Sequence, residues 1–518
     1  MKCALVIPSW LPEDIFPTRT AHSQINYWQP VGTLYVAAVL RQAGHDVTFL
    51  DGAFLSHQEI LSRLRRFGAG LVGIYSTAFG WPRAKRTAAD VKAVLGPDVF
   101  VCAGGPHPTA LQERCLLDPD AAGFDAVVFG EGELTVTELV DRLERGRDLE
   151  GVLGLAYRRK GTVVRNEPRP FIADLDSLPF PARDLLEDKH RYIPPAGTYR
   201  RKPVAVVLTS RGCNRRCIYC FQMDRERKSG IRYRSVENVL AEIEHLLRQG
   251  YREIKFIDDT FAADYGRALE LAQAIRARRL KFTWFASACV NQVDKPLLQA
   301  FKDAGCWAVL FGAESGVQRN LNAIRKGIKV EQTRQAVRWA KEVGLKVITP
   351  FIFGIPGQTY EDALQTIEFA LELDPYIANF HALVPFPGTE LYDNAHKYGT
   401  ISDDLSDYTY QGAAFVPFTL TREQILELRA LAFRRFYSRP RYILRRLLEM
   451  RNLNDLRAAW RGAKSLFWLW ARPGLFRIQK GRLVSPPPAP SGAPAAPPAA
   501  GRGPAPTAAA PTPPAARL

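Results

Sequence analysis

"TSRGCNRRCIYCFQ" occupies residues 209–222 and sets Cys213, Cys217 and Cys220 at the spacing C-x₃-C-x₂-C. A structural zinc site closes with four protein ligands, and a disulfide uses two thiols. Three thiolates instead suit an iron–sulfur cluster that keeps one iron open for a further ligand. Zinc with a distant fourth ligand is the competing reading.

The cysteines follow an apolar run, "VAVVLTS", that reads as a strand, and the same rhythm continues downstream. Strand candidates are "EIKFIDDTF", "FTWFASACV", "WAVLFGAESG", "KVITPFIFGIPG" and "IANFHALVPFPG". Amphipathic stretches such as "SVENVLAEIEHLLRQG" and "VEQTRQAVRWAKEVG" separate them and carry the helical period. Six β-α units within residues 201–390 predict a partial (βα)6 barrel of the TIM type, with polar residues gathered at strand C-terminal ends. Cys213, Cys217 and Cys220 then sit above the barrel mouth.

Residues 1–150 alternate in the same way, from "CALVIPS" to "AVVFGEGE", and predict a doubly wound parallel α/β sheet. Such sheets bind ligands beyond the carboxyl ends of their strands. Four small, polar strand-end groups mark that edge: Asp51-Gly52, Ser76-Thr77, Gly104-Gly105 with His107, and Gly130-Glu131-Gly132. Residues 151–200 are Pro-rich and read as an irregular linker. Residues 391–484 read as mainly helical, and 485–518, with twelve prolines, as a disordered tail.

Of 518 residues, 47% are hydrophobic and 24% charged, ordinary for a globular protein. No apolar run is long enough to span a bilayer, the start lacks a signal-peptide pattern, and eight unevenly spaced cysteines do not form a disulfide scaffold. A cytoplasmic location is expected. The net charge is +17, but residues 434–482 hold fourteen Lys/Arg against two acids, so the basicity is C-terminal. Trp460, Phe467, Trp468 and Trp470 alternate with these arginines, which fits peripheral contact with an anionic membrane or a pair of solvated helices. Nucleic acid is not expected as a partner, since no recognised binding module accompanies the charge.

"CNRRCIYC" after the first strand of a partial barrel resembles the radical S-adenosylmethionine (SAM) enzymes, and the N-terminal region is similar to the domain of their cobalamin-binding branch. Further motifs match in order: "IDDTF" (257–261), "FGAESG" (311–316), "FGIPGQT" (353–359), "PFPGTELY" (385–392) and, N-terminally, "GGPHPT" (104–109). The resemblance implies a [4Fe-4S] cluster on Cys213, Cys217 and Cys220, which serve both as metal ligands and in catalysis. It places SAM against Tyr219, Asp258, Asp259, Thr260, Glu314, Ser315, Gly354, Pro356 and Gly357. Cobalamin would lie against Asp51, Gly52, Ser76, Thr77, Gly104, Gly105, His107, Gly130, Glu131 and Gly132.

The implied activity is reductive SAM cleavage to a 5′-deoxyadenosyl radical, serving methyl transfer to carbon or phosphorus of a small or lipid-like substrate. A flavodoxin- or ferredoxin-type electron donor is implied with it. Ring formation or rearrangement is the alternative outcome. A methylthiotransferase with a second cluster on Cys3, Cys102 and Cys115, and a non-enzymatic cobalamin sensor, are further alternatives. The cobalt-ligating pattern Asp-x-His-x-x-Gly is missing, His22 being the one histidine in its region. Cobalt is therefore expected to have no protein ligand or a weak one.

Overall fold

The computed structural model describes residues 1–10 and 27–449, apart from 196, 225, 227, 410 and 411. His22, the tryptophans at 460, 468 and 470, Phe467 and the Pro/Ala-rich tail lie outside the described residues.

The N-terminal elements are β1 (Lys2–Ile7), α1 (Val31–Gln42), β2 (Asp46–Asp51), α2 (His57–Phe67), β3 (Leu71–Tyr75) and α3 (Trp81–Leu95). They continue through β4 (Phe100–Gly104), α4 (Pro106–Leu111), α5 (Arg114–Leu117), β5 (Ala126–Val128) and α6 (Gly132–Glu144). Strands β1 to β5 pair in parallel in the order 2-1-3-4-5. Both sheet faces are covered, which explains the unbroken apolar run of β1. Cys3 and Leu5 pack under α1 and α6, while Ala4 and Val6 pack with α2 and α3 on the other side. The order in which strands are added reverses between β1 and β3, the place where such sheets open a crevice at their carboxyl ends.

The sheet continues past residue 150, where an irregular linker was expected. β6 (Leu155–Arg159) pairs antiparallel with β5, and β7 (Thr162–Arg165) with β6. Lys160 and Gly161 join them with φ of +48° and +82°, the left-handed pair of a tight hairpin turn. Residues 166–203 do connect the two halves with only short 3₁₀ turns.

The second half begins with β8 (Val204–Val207), the short pair β9 (Ser210–Arg211) and β10 (Arg232–Tyr233), and α7 (Val236–Arg248). It runs on through β11 (Glu253–Phe256), α8 (Tyr265–Ala277), β12 (Thr283–Ala288), α9 (Lys295–Asp303), β13 (Cys306–Phe311) and α10 (Gln318–Ala323). α11 (Val330–Glu342), β14 (Lys346–Phe353), α12 (Tyr360–Leu373) and β15 (Ile377–Ala382) complete it. Six parallel strands lie in the order β15-β14-β13-β12-β11-β8, as the six apolar runs predicted. Helix starts are locally coded: Asp294 caps α9 ahead of a proline, and Thr359 with Asp362 forms a capping box on α12.

One large core fills the space between these strands and helices, from Val239 and Trp284 to Phe380. The inner face carries a smaller cluster of Phe285, Trp307, Ala308 and Ile348. After β15 the chain is less helical than expected: between α13 (Glu390–Asp393) and α14 (Arg422–Tyr437), β16 (Gly399–Ile401) pairs antiparallel with β17 (Phe415–Pro417). α14 buries Ile425, Leu428, Ala432 and Phe436 in the barrel core, and α15 (Pro440–Leu448) follows.

Residues before α1 reach into the barrel. The Val206 amide on β8 donates to Gln29 Oε1 at 3.1 Å, and the Val206 carbonyl accepts from Arg183 at 2.5 Å. Arg183 and Arg234 both bind the fully buried Glu242 carboxylate. Val206 also packs against Val31 and Tyr35 of α1.

Candidate functional site

The β9–β10 pair closes a loop, residues 212–231, at the carboxyl end of β8. Gly212 (φ +98°) crosses so close to Gly230 that a Cβ there would lie 2.6 Å from the Gly230 carbonyl oxygen. Asp258, just past β11, fixes the loop's entry: its Oδ1 accepts from the Thr209 amide and hydroxyl, each at 2.9 Å, and from the Ser210 hydroxyl at 2.5 Å. The loop's centre is stapled by the Ile218 amide to the Ile324 carbonyl and by the Ile218 carbonyl to the Leu391 amide. Ile218 sits in an apolar patch with Ile324, Ile352, Ile355, Leu383, Leu391 and Phe415, and Tyr219 packs on its rim.

On this loop Cys217 is buried, Cys213 half-buried and Cys220 exposed, and none of the eight cysteines is in a disulfide. The Arg215 amide donates to the Cys213 sulfur at 3.5 Å, and Gln222 Nε2 to Cys220 at 3.6 Å. Burial pushes the Cys217 thiol up to about 11 against the pull of Lys326, so cluster binding would have to displace its proton. Among the described residues no three His, Cys, Asp or Glu side chains converge on one ion.

Lys326 was not anticipated. Its Nζ donates to Glu314 Oε1 at 2.5 Å, beneath Cys217. The Tyr219 hydroxyl also binds Glu314. Glu314 has φ +59°, a left-handed conformation that costs a non-glycine residue about 1–3 kcal/mol. Gly312 makes room for the pair, since a Cβ there would stand 2.5 Å from both charged atoms.

The remaining anticipated SAM residues divide. Asp259 is exposed beside Gln222 and Cys220. The Thr260 hydroxyl is turned to Gln292 at 2.6 Å and Ser315 to Thr366 at 3.0 Å, both holding loops in place. In "FGIPGQT" Gln358 Oε1 accepts the Gly354 amide at 2.7 Å, Pro356 is buried, and Gly357 (φ +76°) faces open space.

The N-terminal strand ends divide likewise. Gly104 and Gly130 have nothing within 4 Å of where a Cβ would be, so β4 and β5 end in bare, open backbone. Ser76 and Thr77 follow β3 beside Gly104, with the Ser76 amide on the Gly104 carbonyl at 2.8 Å. Asp51 is engaged by the Ala53 amide and the Tyr192 hydroxyl, and Gly52 and Gly105 are glycines because Ser9 and Ser76 press on them. Gly132 begins α6.

Two side chains depart from the cofactor-facing role. His107 is buried against the Trp81 ring at 5.1 Å, and burial lowers its pKa to about 4. The first turn of α4 directs it inward. Glu131 instead reaches the barrel, where Arg211 (2.9 Å), Arg232 (2.8 Å) and the Ile172 amide (2.7 Å) take up its carboxylate. Glu133 adds a second bond to Arg211 at 2.6 Å. The cysteine loop is thereby tied at its base to the strand ends of the first sheet.

Cys3, Cys102 and Cys115 are buried in β1, β4 and α5, where burial raises their thiols to about 11, 12 and 12. Cys3 and Cys102 pack on one face of the sheet and Cys115 on the other, so the three do not converge as a second cluster would need.

The radical SAM superfamily model matches residues 207–370, and a B12 binding domain model matches residues 23–140. The chain is 36% identical to an uncharacterized methyltransferase of Pyrococcus horikoshii, over 87% of this chain and 95% of that protein. In fold it is similar to TsrM, a radical S-adenosylmethionine methyltransferase from Kitasatospora setae solved with tryptophan substrate and a SAM analog. The TM-score is 0.63 at 20% identity, covering 85% of this chain and 90% of that one. It is also similar to the cobalamin-dependent enzyme OxsB with aqua-cobalamin and SAM bound, with TM-score 0.66 at 16% identity over 90% and 70% of the two chains.

Proposed function

Because this chain belongs to the radical SAM superfamily and joins that domain to a B12-binding domain, we propose that it is a cobalamin-dependent methyltransferase acting on a small molecule. The observation that carries this reading is the clamp of Glu131 and Glu133 on Arg211. It sets the three-cysteine loop against the open strand ends of the first sheet. When bound, the [4Fe-4S] cluster, SAM and cobalamin supply one-electron reduction, a radical source and a transferable methyl group.

The chain's own residues bind, orient and dry the site. Cys213, Cys217 and Cys220 hold the cluster, and the half-buried Lys326 ammonium favours the Cys217 thiolate. Tyr219, Glu314 and Asp259 border the place for SAM, with Gly354 and Gly357 offering backbone. Asp258, Thr260 and Ser315 position the loops that carry those groups. Gly104 and Gly130 present open backbone to cobalamin, with Ser76 and Thr77 beside them. The Ile218 patch seals the loop from beneath, which keeps water from a reactive centre.

Anaerobic reconstitution tests the reading. Parent protein should carry about four irons, bind cobalamin and consume SAM. Ala at Cys213, Cys217 and Cys220 together should abolish iron and SAM turnover, and retention of either defeats it.

No helix among the described residues is long and apolar enough to cross a membrane. α15, however, exposes Ile443, Leu444, Leu447 and Leu448 beside arginines. This supports peripheral contact with anionic lipid, and failure to float with anionic vesicles at low salt refutes it.

A further inference from the structure

Strand alternation on β11 sends Ile254 and Phe256 into the helix-side core and turns Glu253 and Lys255 to the inner face. The two polar groups differ. Glu253 is saturated: it accepts from the Arg200 amide (2.7 Å), the Arg201 amide (2.8 Å), the Thr283 hydroxyl (2.8 Å) and the Trp307 indole (3.1 Å). Lys255 is only 1% exposed, yet among the described residues its Nζ makes a single hydrogen bond, to the Thr198 hydroxyl at 3.0 Å. No carboxylate among the described residues forms an ion pair with it. It stands instead over two ring faces, Phe285 at 4.4 Å and Trp28 at 4.8 Å.

An ammonium group has three protons to donate, and burying it without a counter-charge is costly. Burial lowers the Lys255 pKa to about 7. A methionine would fill the same volume at less cost, so packing alone is a poor reason for a lysine here. The neighbouring surface is apolar: Trp28 is 40% and Ile257 38% exposed, and Ile257 lies two residues beyond Lys255 on the same strand face.

We propose that Lys255 anchors the carboxylate of the substrate, and that the substrate is a carboxylic acid with an apolar, ring-bearing body resting on Trp28 and Ile257. The proposal rests on the reading that the inner face of the barrel receives the substrate. A carboxylate entering this position gains a charge-assisted hydrogen bond and supplies an ion-pair partner that no described residue provides. A neutral analogue gains neither.

Isothermal titration calorimetry of the reconstituted holoenzyme tests this with benzoate, 1-naphthoate and indole-3-acetate, each paired with its primary amide. At least one acid should bind about tenfold or more tightly than its amide. Lys255→Met should erase that preference, and Lys255→Arg should keep part of it. If no acid is preferred, or if the preference survives in Lys255→Met, the proposal is overturned. SAM consumption by the parent, measured without any acid, reads the functional assignment separately. A parent that consumes SAM but prefers no acid loses the substrate class alone, and one that consumes none loses the enzyme reading whatever the acids do.

Discussion

Replacing Lys255 by methionine should stabilise the protein, by an amount that grows as pH falls. The amine's pKa drops from 10.5 to about 7 on folding, because burial disfavours the charged form and Glu253 offsets this only in part. Between those values the unfolded chain holds a proton that the folded chain lacks. Stability therefore drops as pH is lowered, by up to about 1.4 kcal/mol per pH unit. The whole loss is about 5 kcal/mol and is complete once pH is below the folded value. From pH 9 to pH 7 it is about 2 kcal/mol. Urea unfolding of parent and Lys255→Met, followed by circular dichroism at pH 7, 8 and 9, reads this directly. The gap between the two proteins should widen by about 2 kcal/mol toward pH 7. A gap constant to within about 0.5 kcal/mol would refute the reasoning, since the amine would then keep its ordinary proton in the fold.

Other perturbations address the clamp and the loop. A double-mutant cycle with Glu131→Gln and Arg232→Met should show a coupling of about 2 kcal/mol in unfolding, as expected for a buried pair that shares partners. Additive effects would mean that the pair does not join the sheets energetically. Glu131 also makes the clamp acid-sensitive. Burial raises its pKa, but Arg232 and Arg211 outweigh that and hold it below the usual value of 4.5. Its stabilisation is present above pH 4.5 and lost as pH falls through the depressed value, so a melting curve taken downward from pH 5 should steepen in the parent and not in Glu131→Gln. Gly212→Ala forces a left-handed backbone and a contact with Gly230, and should cost more than about 1 kcal/mol and lower the iron content. Unchanged iron in that variant would show that the crossing does not shape the loop.

The parts legible in the sequence were those with local codes. Six apolar strands, separated by amphipathic helices, stand where the apolar runs placed them. The cysteine loop was visible from spacing alone. The β6–β7 hairpin was hidden because its Lys160-Gly161 turn sits in a polar stretch leading into prolines. Glu131 was taken for a ligand-facing residue because its partners lie 80 and 101 residues away along the chain, beyond the reach of any periodicity. Lys326 lies in "IRKGIKV", which carries no motif, and only the geometry of Glu314 reveals its role as that carboxylate's partner. His107 sat in the right motif, but the first turn of a short helix decided where its ring went.

Gln29 and Arg183 do for Val206 what a seventh strand would do, offering one acceptor and one donor to a backbone that has a neighbour on only one flank. The catalytic half therefore borrows its selvedge from outside itself. A fragment beginning at residue 201 would present a row of unsatisfied amides and carbonyls to any passing chain, the usual seed of sheet-to-sheet clumping. Separately produced halves should therefore clump at that seam unless the first is supplied to cover it.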